Sequence, residues 1–324
     1  MDTGLTGLRM NERAAELADA MVDEAAMLRV RSRILGSGAR VIDAGVEAEG
    51  GYGAGLAISE ICMGGLSDIA YTTVQVGAQS WPGVLVSTDH PAVSCMASQY
   101  AGWSISVDKF FAMGSGPLRA HARVEKELFE KLGYEENAER GVLVLEARAL
   151  PDEAVAAWVA EKARLEPARL TFVVAPTASL AGGVQISARI LETGLHKMET
   201  LGFDVRRVVS GYGTAPIPPV AKNDLKAIGR TNDCILYGGQ ARYTIRAGDE
   251  ELAELASKVP ATASRDYGTP FYDIFQRYEG DFYKIDPLLF SPAEVWLTSA
   301  ETGRTFHAGH LNPEILETSL HPRS

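Results

Sequence analysis

Cysteine is scarce in this chain, with 3 residues in 324. Cys62, Cys95 and Cys234 are scattered and none belongs to a CxxC pair. A disulfide framework is excluded, and the pattern fits a reducing compartment where a buried thiol acts as a small hydrophobe. Lysine is scarce too, 9 against 22 arginines, and neither forms a basic stripe. With a formal net charge of −11, the chain is not built to hold nucleic acid. No apolar run reaches the roughly 18 residues of a membrane span. The start, Met1-Asp2-Thr3-Gly4, lacks the basic and apolar regions of a signal peptide, so the expected location is cytoplasmic. Neither a P-loop nor a GxGxxG fingerprint occurs. His307 and His310, three apart in an expected strand, point to opposite faces, and no other cluster has metal-ligand spacing. No metal cofactor is expected.

What is present is an ordinary globular composition, 46% hydrophobic and 23% charged, able to bury a sizeable core. Helical spacing covers 11–35, with Asn11 as its cap, and recurs near 91–101 and 117–132, where Pro91 and Pro117 suit the first turns. Apolar runs at 41–43, 69–76, 83–88, 103–107 and 141–148 read as strands. From 151 the order is helix (151–165), strand (170–175), helix (184–201), strand (205–210). A loop over 211–219, a helix near 222–229 and a strand over 233–246 follow. The tail reads as helices near 249–258 and 270–277, a strand pair over 293–308 and a helix from Pro313. This alternation implies a mixed α/β (α+β) fold of two closely packed lobes, divided as 1–148 and 149–324, with lobes that are allowed to be discontinuous.

The segment Gln185–Gly194 holds the leading candidate site. Arg189 and Glu192, three apart on an expected helix, share one face. A guanidinium that orients a carboxylate could hold and deprotonate a water. The competing reading is an exposed i,i+3 ion pair worth ~0.3 kcal/mol. Upstream, Thr177 and Ser179 lie in a small-residue loop that gives a ligand access to backbone. Gly114, Ser115 and Gly116 enter a helix whose first N–H groups would favour an anion or oxyanion; a plain strand-to-helix turn fits equally. Asp89 and His90 stand at a strand-to-helix corner, the acid as helix cap or the pair as ligand contacts. Tyr237, read in a strand before Gly238-Gly239, either stacks on a ligand ring or belongs to the core edge.

Several long stretches in one order are more telling than any of these alone. They are the glycine segment Val41–Leu66, Val86–Ser94, Phe111–Pro117, Ala175–Ser179, Val184–Gly194, Gly213–Ile217, Gly229–Gly239 and Asp281–Pro287. Through them the chain resembles the methenyltetrahydromethanopterin cyclohydrolases over nearly its whole length. The resemblance implies a cytoplasmic hydrolase of one-carbon metabolism that interconverts the 5,10-methenyl and 5-formyl forms of tetrahydromethanopterin. It implies two lobes with the pterin substrate in a cleft between them, and a homo-oligomer such as a trimer. It places the catalytic arginine and glutamate on Arg189 and Glu192. Asp89, His90, Gly114, Ser115, Gly116, Thr177, Ser179, Gln185, Thr214 and Tyr237 are the expected substrate-binding residues, with no cofactor besides the pterin substrate. A pterin-binding protein without chemistry and a cyclohydrolase acting on tetrahydrofolate stand as alternatives. The arginine excess favours a methylotrophic bacterium oxidising formaldehyde over a methanogen.

Overall fold

Leu170-Thr171-Phe172-Val173-Val174-Ala175 is buried at every position, the pattern of a strand covered on both faces. It is the eighth of twelve strands, numbered along the chain, in a computed structural model that describes residues 7–281 and 284–321. The described chain is mixed α/β and divides into two units, each discontinuous. The first comprises residues up to Ser67 together with Val93–Gln185, and the second Asp68–Ala92 with Ile186 onward. Residues 148 and 149 both lie inside the first unit.

The first unit is built on six strands in the order β1-β2-β8-β7-β6-β5. These are β1 (Arg31–Ile34), β2 (Arg40–Asp43), β5 (Trp103–Val107), β6 (Phe110–Ser115), β7 (Gly141–Glu146) and β8 (Leu170–Ala175). β2, β8 and β7 run parallel, and the outer pairings are antiparallel. Side chains alternate between two cores, as a period of two requires. Ile42, Val142, Val144 and Val173 meet the helices Met10–Asp23 and Tyr52–Cys62 on one face. Val41, Leu143, Leu145 and Phe172 meet the helix Glu153–Ala163 on the other. Asp152 caps that last helix by accepting the N–H groups of Ala154 and Val155. Beside this frame the guanidinium of Arg119 is fully buried. It pairs with Glu125 at 2.7 Å and donates to the carbonyls of Met96 and Ser98. Burial pushes its pKa down, and Glu125 opposes that shift.

The second unit carries the order β12-β11-β10-β9-β4-β3. The strands are β3 (Asp68–Val76), β4 (Gln79–Thr88), β9 (Val208–Pro216), β10 (Gln240–Ile245), β11 (Glu294–Ser299) and β12 (Thr305–Gly309), with only β10 and β11 parallel. The helix Ile190–Thr200 lies on β9 and β10. Tyr243 donates its hydroxyl to the carbonyl of Leu191 at 2.9 Å. A Cβ at Gly194 would stand 2.1 Å from that hydroxyl, so only glycine lets helix and strand approach this closely.

Several expectations are corrected. The helix over 11–35 ends at Asp23, and after a short turn Ala25–Leu28 the left-handed Arg29 (φ 55°) redirects the chain into β1. Asn11 is no cap: it lies within the first turn, fully buried, donating to Pro117 O and accepting from Val142 N. The 117–132 pattern is two helices, Leu118–Ala122 and Lys126–Leu132, parted at Arg123 (φ 51°). The 211–219 loop is strand as far as Pro216, because its glycines are where the helix Ile190–Thr200 approaches. The strand over 233–246 is the helix Asp224–Gly238, capped by Asn223, followed by β10. There the run Cys-Ile-Leu-Tyr imitates a strand, yet Ala227, Thr231, Cys234 and Ile235 are buried at helical spacing. Phe282 and Tyr283 of the Asp281–Pro287 stretch, and Met1–Gly4, lie outside the described residues.

One buried acid gives this unit a pH dependence. Asp233 is fully enclosed, accepting from Phe271 N at 2.8 Å and from Ser319 Oγ at 2.5 Å. Desolvation raises its pKa to about 7, against those two lowering bonds. Between the ordinary carboxyl value near ~4 and about 7, the folded chain therefore keeps a proton that the unfolded chain has released. Stability falls as pH rises through that window, by about 4 kcal/mol for this group. Asp233→Asn keeps both bonding partners without the charge. Thermal denaturation at pH 5 and pH 8 should show a smaller loss on going to pH 8 than in the parent.

Candidate active site

The two helices Leu180–Ser187 and Ile190–Thr200 replace the single helix expected over 184–201, and Arg189 sits at the break between them. The break is anchored by Ser187, whose hydroxyl donates to Pro216 O at the end of β9 (2.8 Å). Arg189 then occupies the cap position of the second helix, with Glu192 in its first turn. A carboxylate in a first turn faces unpaired backbone N–H groups and is stabilised there. Arg189 and Glu192 are 7% and 5% exposed, with Nη1 and Oε2 3.9 Å apart. This burial removes the reading as a solvated surface pair. Taking two charges out of water costs several kcal/mol per ion, so such a pair is a weak stabiliser and a better indicator of function.

Around it, in the same unit, Ile190 and Leu191 pack against Gly211 and Gly213 of β9. Thr214 is half-buried and paired with Leu85 and Gln240, on the opposite face of the sheet from Gly213. Asp89 and His90 are exposed and follow the Thr88↔Gly211 pair, toward the other end of β9 from Pro216. The hydroxyl of Thr88 accepts the N–H of His90 there. Tyr237 is not on a strand edge. It lies on the helix Asp224–Gly238, fully buried, donating its hydroxyl to Thr269 O at 2.7 Å with its ring 5.2 Å from that of Tyr267. Burial raises its pKa, which keeps it a donor. His307, in β12, stacks on Trp296 of β11 and bonds Glu294.

The remaining candidates belong to the first unit. Gly114 and Ser115 end β6, and Ser115 Oγ lies 3.2 Å from the buried Cys62 Sγ. Gly116 (φ +98°) donates its N–H to Ser98 O at 2.8 Å, so that donor is already engaged. Thr177 is half-buried in the loop after β8. Ser179 donates to Pro176 O and accepts from Gly182 N, which starts the helix Leu180–Ser187. Gln185 is 1% exposed and donates its Nε2 to Glu146 Oε1 at 3.0 Å. In the sequence Glu146 closes an apolar run, and an acid ending an otherwise apolar strand is the signal that marks it.

Comparison with known proteins adds a second line. A family model described as Cyclohydrolase (MCH) matches residues 9–320. The methenyltetrahydromethanopterin cyclohydrolase of Methanosarcina barkeri (strain Fusaro) is 46% identical over 315 residues, 97% of this chain and 98% of its own. Its counterpart in Methylobacillus flagellatus is 48% identical over 312 residues, 96% and 95% of the two chains. That of Methylobacterium organophilum is 45% identical over 316 residues, 96% and 97%.

Proposed function

Because the chain belongs to the cyclohydrolase (MCH) family, we propose that it reversibly hydrolyses 5,10-methenyltetrahydromethanopterin to the 5-formyl form, with Glu192 moving protons and Arg189 holding Glu192. The methenyl carbon bridges two nitrogens as an amidinium-like cation and is electrophilic before the enzyme touches it. Water adds to that carbon, one carbon–nitrogen bond breaks, and the formyl group stays on the other nitrogen. Glu192 takes the proton of the attacking water and returns one to the departing nitrogen. The cation becomes neutral, so each turnover releases one proton to solvent. A carboxylate here also attracts the charged form of the substrate. The carbon needs no Lewis acid, and turnover in the presence of a chelator is expected to match turnover without one.

The observation that carries this reading is the burial of an Arg–Glu pair at a helix start, in a chain matched to the family almost end to end. The test is a spectrophotometric assay of purified protein with methenyltetrahydromethanopterin, with the tetrahydrofolate counterpart in parallel. Catalytic loss of the methenyl absorbance is expected with the first. Stoichiometric binding without turnover would overturn the reading in favour of a carrier. Arg189→Lys keeps the charge and loses the planar fork. It should lower kcat roughly 10–100-fold through a misplaced carboxylate, which steady-state kinetics with the same assay will measure. The proposal extends to a cytoplasmic homo-oligomer, a trimer by the family resemblance, whose subunit number sedimentation will give. Among the described residues no helix is long and apolar enough to cross a membrane.

A further inference from the structure

The Arg189–Glu192 pair stands on a stretch of backbone tied to the sheet at two points. Ahead of it, Ser187 donates its hydroxyl to Pro216 O at the end of β9. Within it, the carbonyl of Leu191 accepts the hydroxyl of Tyr243 at 2.9 Å, from the neighbouring strand β10. Arg189 lies between the two ties. The peptide that joins Leu191 to Glu192 is the very group that the second tie grips. All of these residues belong to the second unit.

Tyr243 is 1% exposed and pairs across the sheet with Gly211. A Cβ at Gly211 would stand 3.1 Å from Leu191 and 3.6 Å from the Tyr243 ring. The missing side chain therefore leaves the space in which the two meet. The strand holds the ring at its base, and the hydroxyl reaches the first turn of the helix Ile190–Thr200.

A core built for packing alone would choose other residues here. Glycine in a helix interior is less favourable than alanine, yet a Cβ at Gly194 would collide with the Tyr243 hydroxyl. A buried hydroxyl must find an acceptor or lose stability, a demand that phenylalanine does not make. Two locally unfavourable choices thus converge on one bond, and that bond ends on the peptide of Glu192.

Resting on the proposed function, we infer that Tyr243 is a positioning residue for the reaction. Its hydroxyl fixes the peptide from which Glu192 projects, and so the place of the carboxylate that moves the protons. Gly194 is the gap that lets the hydroxyl in. A misplacement of about 1 Å can cost on the order of 10²-fold in rate, so a loosened helix start is felt at the carboxylate.

Tyr243→Phe removes the hydroxyl and keeps the ring. With methenyltetrahydromethanopterin, kcat should fall about tenfold and KM should stay within about threefold. In Glu192→Gln protein the same substitution should change the residual rate less than about twofold, since the group it positions is gone. Gly194→Ala crowds the same hydroxyl, and it should lower kcat by about as much in the parent but by less than about twofold on top of Tyr243→Phe. Amide exchange over residues 191–195 should quicken about tenfold in Tyr243→Phe, with the helix Asp249–Lys258 unchanged. A kcat within threefold of the parent overturns the inference, as do equal losses with and without the Glu192 carboxylate, which mark a role in the fold alone. Protein that turns nothing over ends the proposed function; exchange then decides the clamp, and an unchanged rate over 191–195 overturns it.

Discussion

Glu192→Gln should lower kcat about 10²–10⁴-fold while the fold and the binding of substrate persist. The range is what general acid–base assistance contributes, and the amide keeps the size of the side chain but neither takes the water's proton nor returns one. Burial sharpens the expectation: Glu192 is 5% exposed, so bulk water is poorly placed to replace it. The measurement is single-turnover decay of the methenyl absorbance, beside a titration for affinity. A modest rise in Kd is expected as well, since the carboxylate's attraction for the cation is lost. Turnover within threefold of the parent, from protein free of host enzyme, would remove Glu192 from the reaction.

The second large effect is on stability. Arg119→Ala deletes a guanidinium that is 0% exposed and serves Glu125, Met96 O and Ser98 O together. It also stacks on Tyr100 and Phe129, 5.2 and 5.6 Å from the ring centres. Removing one partner of a buried pair typically destabilises by about 3–5 kcal/mol, because the other charge stays desolvated. For a unit of this size that is a fall in Tm of roughly 6–20 °C. Calorimetry should find it, with an Arg119→Met, Glu125→Leu double variant losing less than Arg119→Ala because no buried charge is stranded. A loss under about 1 kcal/mol for Arg119→Ala would mean that Glu125 finds water without cost.

Much of the frame was legible in the sequence where local pattern and tertiary demand agree. β8 is apolar at every position but Thr171, and the expectation over 170–175 matches its observed limits. The elements of the tail, from Asp249 to the helix beginning at Pro313, also fall where their spacing puts them. The errors have one physical origin, that a short window does not reveal what packs against it. Gly211 and Gly213 look like loop until Ile190 and Leu191 lie upon them, and Cys234–Tyr237 looks like strand until its neighbours at helical spacing are seen buried. The same holds at the site. Spacing puts Arg189 and Glu192 within reach of each other, yet spacing alone favours a solvated pair; burial decides against it. Gln185 was named as a contact of the substrate, while the acid it grips was not, since the bond spans 39 residues and leaves no local trace.

All three cysteines are buried thiols, each with no exposed surface. The chain therefore carries its own opening reporters. A thiol reagent can reach them only during excursions from the native state, and its rate counts those excursions. Cys62 and Cys95 report for one unit and Cys234 for the other, so peptide-resolved alkylation distinguishes a chain that melts as a whole from one whose halves breathe on separate clocks.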